Sequence, residues 1–106
     1  MEKLIPIPTM KEFIWDEFMK PLHISTSQLA HDIQVPESKI KNVLDGKEKV
    51  SADLSIRLGK YFNLPEDYLL NIQNDIDTRV AKRNHAAIFK KIKPIIPSNK
   101  KDISLA

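Results

Sequence analysis

Apolar residues recur along this chain in short helical stripes separated by proline, glycine and capping residues. Thr9 followed by Glu12 forms a capping box, and Met10, Phe13, Ile14, Phe18 and Met19 then line one helical face. Pro21 ends that first helix, and Leu22 and Ile24 lead onward. Ser25 is placed to cap a second helix with Gln28 as its reciprocal partner; Leu29, Ala30 and Ile33 are its inward residues. Pro36 suits the first turn of a third helix, where a missing N–H costs nothing, with Ile40, Val43 and Leu44 facing inward and Gly46 ending it.

Ser51 caps a fourth helix. Ala52, Ile56, Gly59 and Phe62 form one apolar face on it, while Leu54, Leu58 and Tyr61 form another, which predicts burial on two sides and suggests a second copy of the chain. A fifth helix is predicted from near Pro65 to about Asn84 on the stripe Tyr68, Leu69, Ile72, Ile76 and Val80. Ala86-Ala87-Ile88-Phe89 either extends that helix or makes another turn, and Pro94 and Pro97 leave Ile95 and Ile96 extended. No strand pattern and no internal repeat occurs. The expected fold is all-α: a five-helix domain over residues 1–84 with a basic C-terminal extension over 85–106.

Composition narrows the class. The 106 residues suit one modest core, and no apolar run approaches the ~20 residues of a membrane span, so no membrane partner is expected. Cysteine is absent, and the three histidines are scattered without ligand spacing, so neither a cofactor nor a metal is expected. Neighbouring carboxylates such as Asp16-Glu17 do not converge on a helix, no nucleophile motif appears, and only two glycines are present. An enzyme is not expected, and a cytoplasmic protein is the simplest reading. Charge is segregated. Residues 1–77 carry nine Lys/Arg against thirteen Asp/Glu, net −4; residues 78–106 carry eight against one, net +7. The basic end therefore suits an acidic partner, either DNA phosphate or an acidic protein patch, unless it is simply a solvated tail.

The second and third helices are too short to persist alone and together form a helix-turn-helix pattern. Packed on the second, the third would turn Glu37, Ser38, Lys39, Lys41 and Asn42 outward. Asn can bond adenine in a bidentate way, Glu can accept from cytosine and Lys can reach guanine or phosphate. Ser25, Thr26 and Gln28 stand at the start of the second helix, where phosphate is favoured, and Lys47 and Lys49 follow the third.

Residues 25–47 resemble the repressor-type helix-turn-helix of the phage-repressor and Xre-like group. The stretches Asp16 to Ser25, Ser51 to Phe62 and Tyr68 to Gln73 resemble further segments of the HigA/VapI-type antitoxins, so that the likeness spans roughly residues 6–77. The resemblance implies a homodimeric DNA-binding antitoxin that represses its own operon and neutralises a small ribosome-dependent mRNA-cleaving toxin. By position it implies base contacts from Pro36, Glu37, Ser38 and Asn42, with Lys39 beside them. It implies phosphate contacts from Thr26 and the Lys47 region. Dimerisation falls on the end of the fourth helix and on the fifth, at Leu58, Tyr61, Leu69, Ile72 and Ile76. The family usually has glycine where this chain has His23, Gln34 and Asn63, and a tryptophan where it has Leu69. A stand-alone dimeric repressor, and an interaction module that no longer binds DNA, are the alternatives.

Overall fold

The computed structural model describes residues 6–96, and every structural statement below concerns those residues. They form helices and no strand. The first helix, α1, is wound in two pitches, π-helical over Glu12–Met19 and α-helical over Lys20–Leu22. It is followed by α2 (Thr26–Ile33), α3 (Glu37–Leu44), α4 (Ala52–Phe62), α5 (Tyr68–Asn84) and α6 (Ala86–Lys91). The C-terminal residues 97–106 of the expected basic extension, Pro97 included, lie outside the described residues.

The caps explain where the helices begin. The Thr9 hydroxyl and the Glu12 carboxylate engage each other's backbone N–H groups at 3.4 and 3.3 Å, which is the expected capping box. Ser25 accepts the Gln28 N–H at 3.0 Å and Ser51 accepts the Leu54 N–H at 3.2 Å. Gln28 does not return the bond to Ser25; its side-chain amide donates to Asp32 instead. The helix ends use left-handed residues. His23, Gln34 and Asn63 have φ of 57, 63 and 59°, the three positions that the family likeness marks as glycine, and Gly46 has φ of 79° just past α3.

One core joins the elements. Met10, Ile14 and Met19 from the first helix and its approach meet Leu29, Ala30 and Ile33 of α2, Ile40 and Val43 of α3, Val50, Leu54 and Leu58, and Leu69 of α5. Trp15 and Phe13 pack at its edge, and Phe18 stacks on Phe62 at 4.9 Å. Two buried polar residues fasten α5 to this core. The Ser55 hydroxyl donates to the Glu66 carbonyl at 2.6 Å and accepts the Leu70 N–H at 3.1 Å. Gln73 accepts the Val50 N–H at 3.0 Å and donates to Asp77 at 3.0 Å.

The two-faced helix α4 is explained within the chain. Leu54 and Leu58 are fully buried on one side. On the other, Gly59 lets the Leu64-Pro65-Glu66 turn approach so closely that a Cβ would meet two carbonyl oxygens at 3.0 Å. Of the second face only Ile56 and Ala52 remain outside. The Ala86 segment neither continues α5 nor forms a loose turn. It is a separate short helix, broken from α5 at His85 with φ of −126°. No helix among the described residues is long and apolar enough to cross a membrane.

Candidate nucleic-acid interface

Helix α3 buries Ile40 and Val43, so at 3.6 residues per turn Ser38, Lys41 and Asn42 fall on its opposite side. Ser38 and Lys41 are exposed, and Asn42 is half-buried because its carbonyl takes the Lys47 and Glu48 N–H groups at 2.8 and 3.2 Å. Pro36, in extended conformation with ψ of 144°, precedes α3 rather than sitting inside its first turn.

The N-termini of α2 and α3 are drawn together by one bond. The Thr26 hydroxyl donates to the Glu37 carboxylate at 2.7 Å, and Lys41 flanks the same oxygen at 3.6 Å. The Thr26 bond, more than the Lys41 charge and against partial desolvation, holds the Glu37 carboxyl below its ordinary pKa. Ser25, Thr26, Glu37, Ser38 and Lys41 therefore share one end of the helix pair.

The other end is fastened from α4. The Arg57 guanidinium donates to the Ile33 and Gln34 carbonyls at 2.7 and 3.2 Å, closing the C-terminus of α2, and its Nε donates to Asp53 at 2.8 Å. The Tyr61 hydroxyl donates to Asp32, which also accepts from Gln28 at 2.8 Å. The Gln28 bond first, and the Tyr61 bond second, keep the Asp32 carboxyl below its ordinary pKa. The same tie, chiefly the bond to Asp32, pushes the Tyr61 phenol up.

Several candidate residues are thus partly committed. Lys39 pairs with Glu48 across the turn that follows α3, and Lys49 pairs with Asp77 of α5 at 3.2 Å. Gln28 is engaged by Asp32. Lys47 is exposed and makes no ion pair with the other described residues. Arg57, Asp32 and Glu48 escaped the sequence reading. The i,i+4 spacing of Asp53 and Arg57 signals a pair on one helix but gives no hint that the guanidinium reaches α2.

The five expected dimer residues divide. Leu58 and Leu69 are 0% and 1% exposed, so the expectation fails for both: they fill the protomer's own core and no partner can reach them without opening it. Tyr61 is half-buried and tied to Asp32. Ile72 and Ile76 are half-buried on α5, where with Pro8, Phe13, Pro65 and Tyr68 they line an apolar groove of about 400 Å³ rimmed by Asp67 and by the Asp75–Arg79 ion pair.

No protein-family model matches the chain. Among curated proteins it is 29% identical over 77 residues to virulence-associated protein I of Dichelobacter nodosus, a match spanning 73% of this chain and 71% of that one. It is 27% identical over 66 residues to an HTH-type transcriptional regulator of Haemophilus influenzae, spanning 62% of each. Among solved structures, the antitoxin HigA of Pseudomonas aeruginosa, determined with the higBA promoter, superposes with a TM-score of 0.79 at 26% identity, covering 86% of this chain and all of that one. The chain is thus similar, in sequence and in fold, to helix-turn-helix proteins of the HigA/VapI type.

Proposed function

We propose that this protein is a sequence-specific DNA-binding regulator that inserts α3 into the major groove of an operator and grips phosphate with the start of α2. The observation that carries the reading is the Thr26–Glu37 bond. It sets the N-terminus of α2 beside that of α3, so that a helix end suited to phosphate and an exposed polar face suited to base edges point from one place. In this reading Ser38 and Asn42 read bases from the face opposite the core. Glu37 contributes from the helix start, and Lys39 does so once Glu48 releases it. Ser25, Thr26, Lys41 and Lys47 contact phosphate, with Gln28 and Lys49 at the margin. The likeness to an antitoxin determined with its promoter supports it. A homodimer that represses its own operon, and that neutralises an mRNA-cleaving toxin through another surface, is the full form of the proposal.

The test is a titration into duplex DNA from the chain's own upstream region, beside a scrambled duplex, across a salt series. Binding confined to the native duplex is expected. Asn42→Ala should weaken it by about 1–3 kcal/mol and relax selectivity at one base pair, while Lys47→Ala should weaken both duplexes and flatten the salt dependence by about one ion. Equal, weak binding to both duplexes refutes the reading. Co-purification with the product of an adjacent small gene tests the toxin partner.

One observation favours a second reading, an interaction module without DNA binding. Lys39, Lys41 and Lys49 each face a carboxylate, which lowers the positive potential of the face expected to meet phosphate.

A further inference from the structure

The joint between α2 and α3 is the segment Gln34-Val35-Pro36. Its first residue is left-handed, with φ of 63°, a conformation that a side chain with a Cβ holds only where the surroundings fix it. A helix also ends in carbonyls that have no partner inside it. The joint's own backbone takes two of those of α2: the Val35 N–H donates to the Ala30 carbonyl at 3.0 Å and the Gln34 N–H to the His31 carbonyl at 3.3 Å. The Ile33 and Gln34 carbonyls accept instead from the half-buried Arg57 of α4, at 2.7 and 3.2 Å.

Arg57 is itself fixed before it reaches α2. Its Nε donates to Asp53, one turn earlier on α4, at 2.8 Å, and this turns the Nη1 end of the planar guanidinium toward the joint. One turn later Tyr61 donates to Asp32, so α4 grips the end of α2 at two points. At 1.5 Å per residue, Ile33 lies about 11 Å along α2 from Thr26, away from the helix start assigned to phosphate. The pair is therefore held at both ends of α2, by Thr26 on Glu37 at its start and by Arg57 at its finish.

We propose that Arg57 is a positioning residue for base reading: from α4 it sets the angle at which α3 presents Ser38 and Asn42, while touching no DNA itself. This role rests on the DNA reading proposed above and adds to it a residue outside the interface. Hydrogen bonds to base edges form only over about 2.7–3.2 Å, so a tilt that moves α3 by about 1 Å loses them. Attraction between lysine and phosphate falls off slowly with distance and survives the same tilt. Orientation and charge thus separate: without Arg57 the chain loses selectivity and keeps its sequence-independent binding.

Two full-length variants test it. Arg57→Met keeps an apolar stem and removes the donors, whereas Arg57→Lys keeps the charge and lacks the planar fork. Both are titrated into the chain's own upstream duplex and a scrambled duplex across a salt series, well below their measured unfolding temperatures. In both, the ratio of the two affinities should fall at least about tenfold, the size of one lost base contact, with an unchanged salt slope and scrambled-duplex affinity within about twofold of wild type. Amide exchange of the unbound protein is the second readout. In Arg57→Met the Gln34, Val35 and Lys39 amides should exchange faster, while those of Val50 and Leu70 keep their rates. An unchanged affinity ratio, or acceleration at all five amides alike, would make Arg57 a general stabiliser and overturn the proposal. So would a salt slope reduced by about one on both duplexes in Arg57→Met and restored in Arg57→Lys, the mark of a direct phosphate contact. A wild type that binds both duplexes alike refutes the DNA reading itself. Exchange at the joint then decides separately whether Arg57 fixes α3, and unaltered exchange there overturns the proposal in either case.

Discussion

The α2–α3–α4 corner and the arm beyond Asp77 contain similar apolar residues but use them in opposite ways. In the corner, Leu29, Ile33, Ile40, Val43, Leu54 and Leu58 are buried together, and polar side chains span the joints: Thr26 to Glu37, Arg57 to the end of α2, Tyr61 to Asp32. In the arm, Ile88, Phe89, Ile92 and Ile95 are exposed, and the ring of Phe89 pairs with the nearby His85 ring, at 6.1 Å. A helix that is to present one face to a duplex, as proposed for α3, needs a fixed orientation, which many small ties deliver. The arm shows the reverse, a stretch whose apolar side chains its own body leaves exposed. The difference lies in what covers the apolar residues rather than in how many there are.

The comparison breaks most visibly with paired truncations. Leu58→Ala removes a fully buried side chain and should cost about 2–5 kcal/mol in urea or thermal unfolding, whereas Ile88→Ala should stay within about 0.5 kcal/mol of wild type in the protomer. The loss at Leu58 should also be independent of protein concentration, because the residue belongs to the core. A concentration-dependent loss would return Leu58 to a subunit interface.

Polar ties give a smaller contrast. Ser55→Ala strands the part-buried Glu66 carbonyl and Leu70 N–H around the start of α5 and should cost about 1–3 kcal/mol. Thr78→Ala, which deletes an exposed hydroxyl bonded to the Asn74 carbonyl, should be nearly silent. Equal losses would mean that the second half of α5 is as firmly held as the first.

These contrasts mark how far the sequence was legible. The caps at Thr9, Ser25 and Ser51 and the inward stripes were readable because they are local: a serine and the N–H three residues on, or apolar side chains at one helical phase. The left-handed turns at His23, Gln34 and Asn63 were readable through the family likeness. Tertiary competition was not. Helical phase placed Leu58 and Leu69 on apolar stripes but cannot distinguish a protomer's core from a dimer seam, since both are apolar faces of one period. Nor does spacing reveal that Lys39 meets Glu48 nine residues on, that Arg57 crosses to α2, or that α1 is wound with a π pitch over Glu12–Met19. Of the candidate interface, residue identities were legible, whereas their internal partners were not.

Gln34 sharpens the corner's side of the comparison. It closes α2 with φ of 63° and ψ of 49°, a conformation costly for a side chain with a Cβ. Gln34→Gly should therefore stabilise the protein by up to about 1 kcal/mol, and Asn63→Gly by less, because Asn tolerates that region better. Thermal unfolding of the two variants checks the order. A loss at Gln34→Gly would show that the side chain contributes contacts worth more than the strain.

The smallest effect concerns what holds the start of α3. Glu37 is held below its ordinary value of 4.5, first by the Thr26 hydroxyl and to a lesser degree by the Lys41 charge. Because the folded value is the lower one, the contribution of this carboxylate is present above the ordinary value and disappears as pH falls through the folded value. Thr26→Val removes the hydroxyl and keeps the shape, so the Glu37 titration followed by carboxylate NMR should move upward. Lys41→Met should move it upward by less. The reverse order would make the corner's N-terminal tie a simple surface ion pair, screened by salt, and α2 and α3 would then be joined at that end by nothing firmer than the charges that decorate the arm.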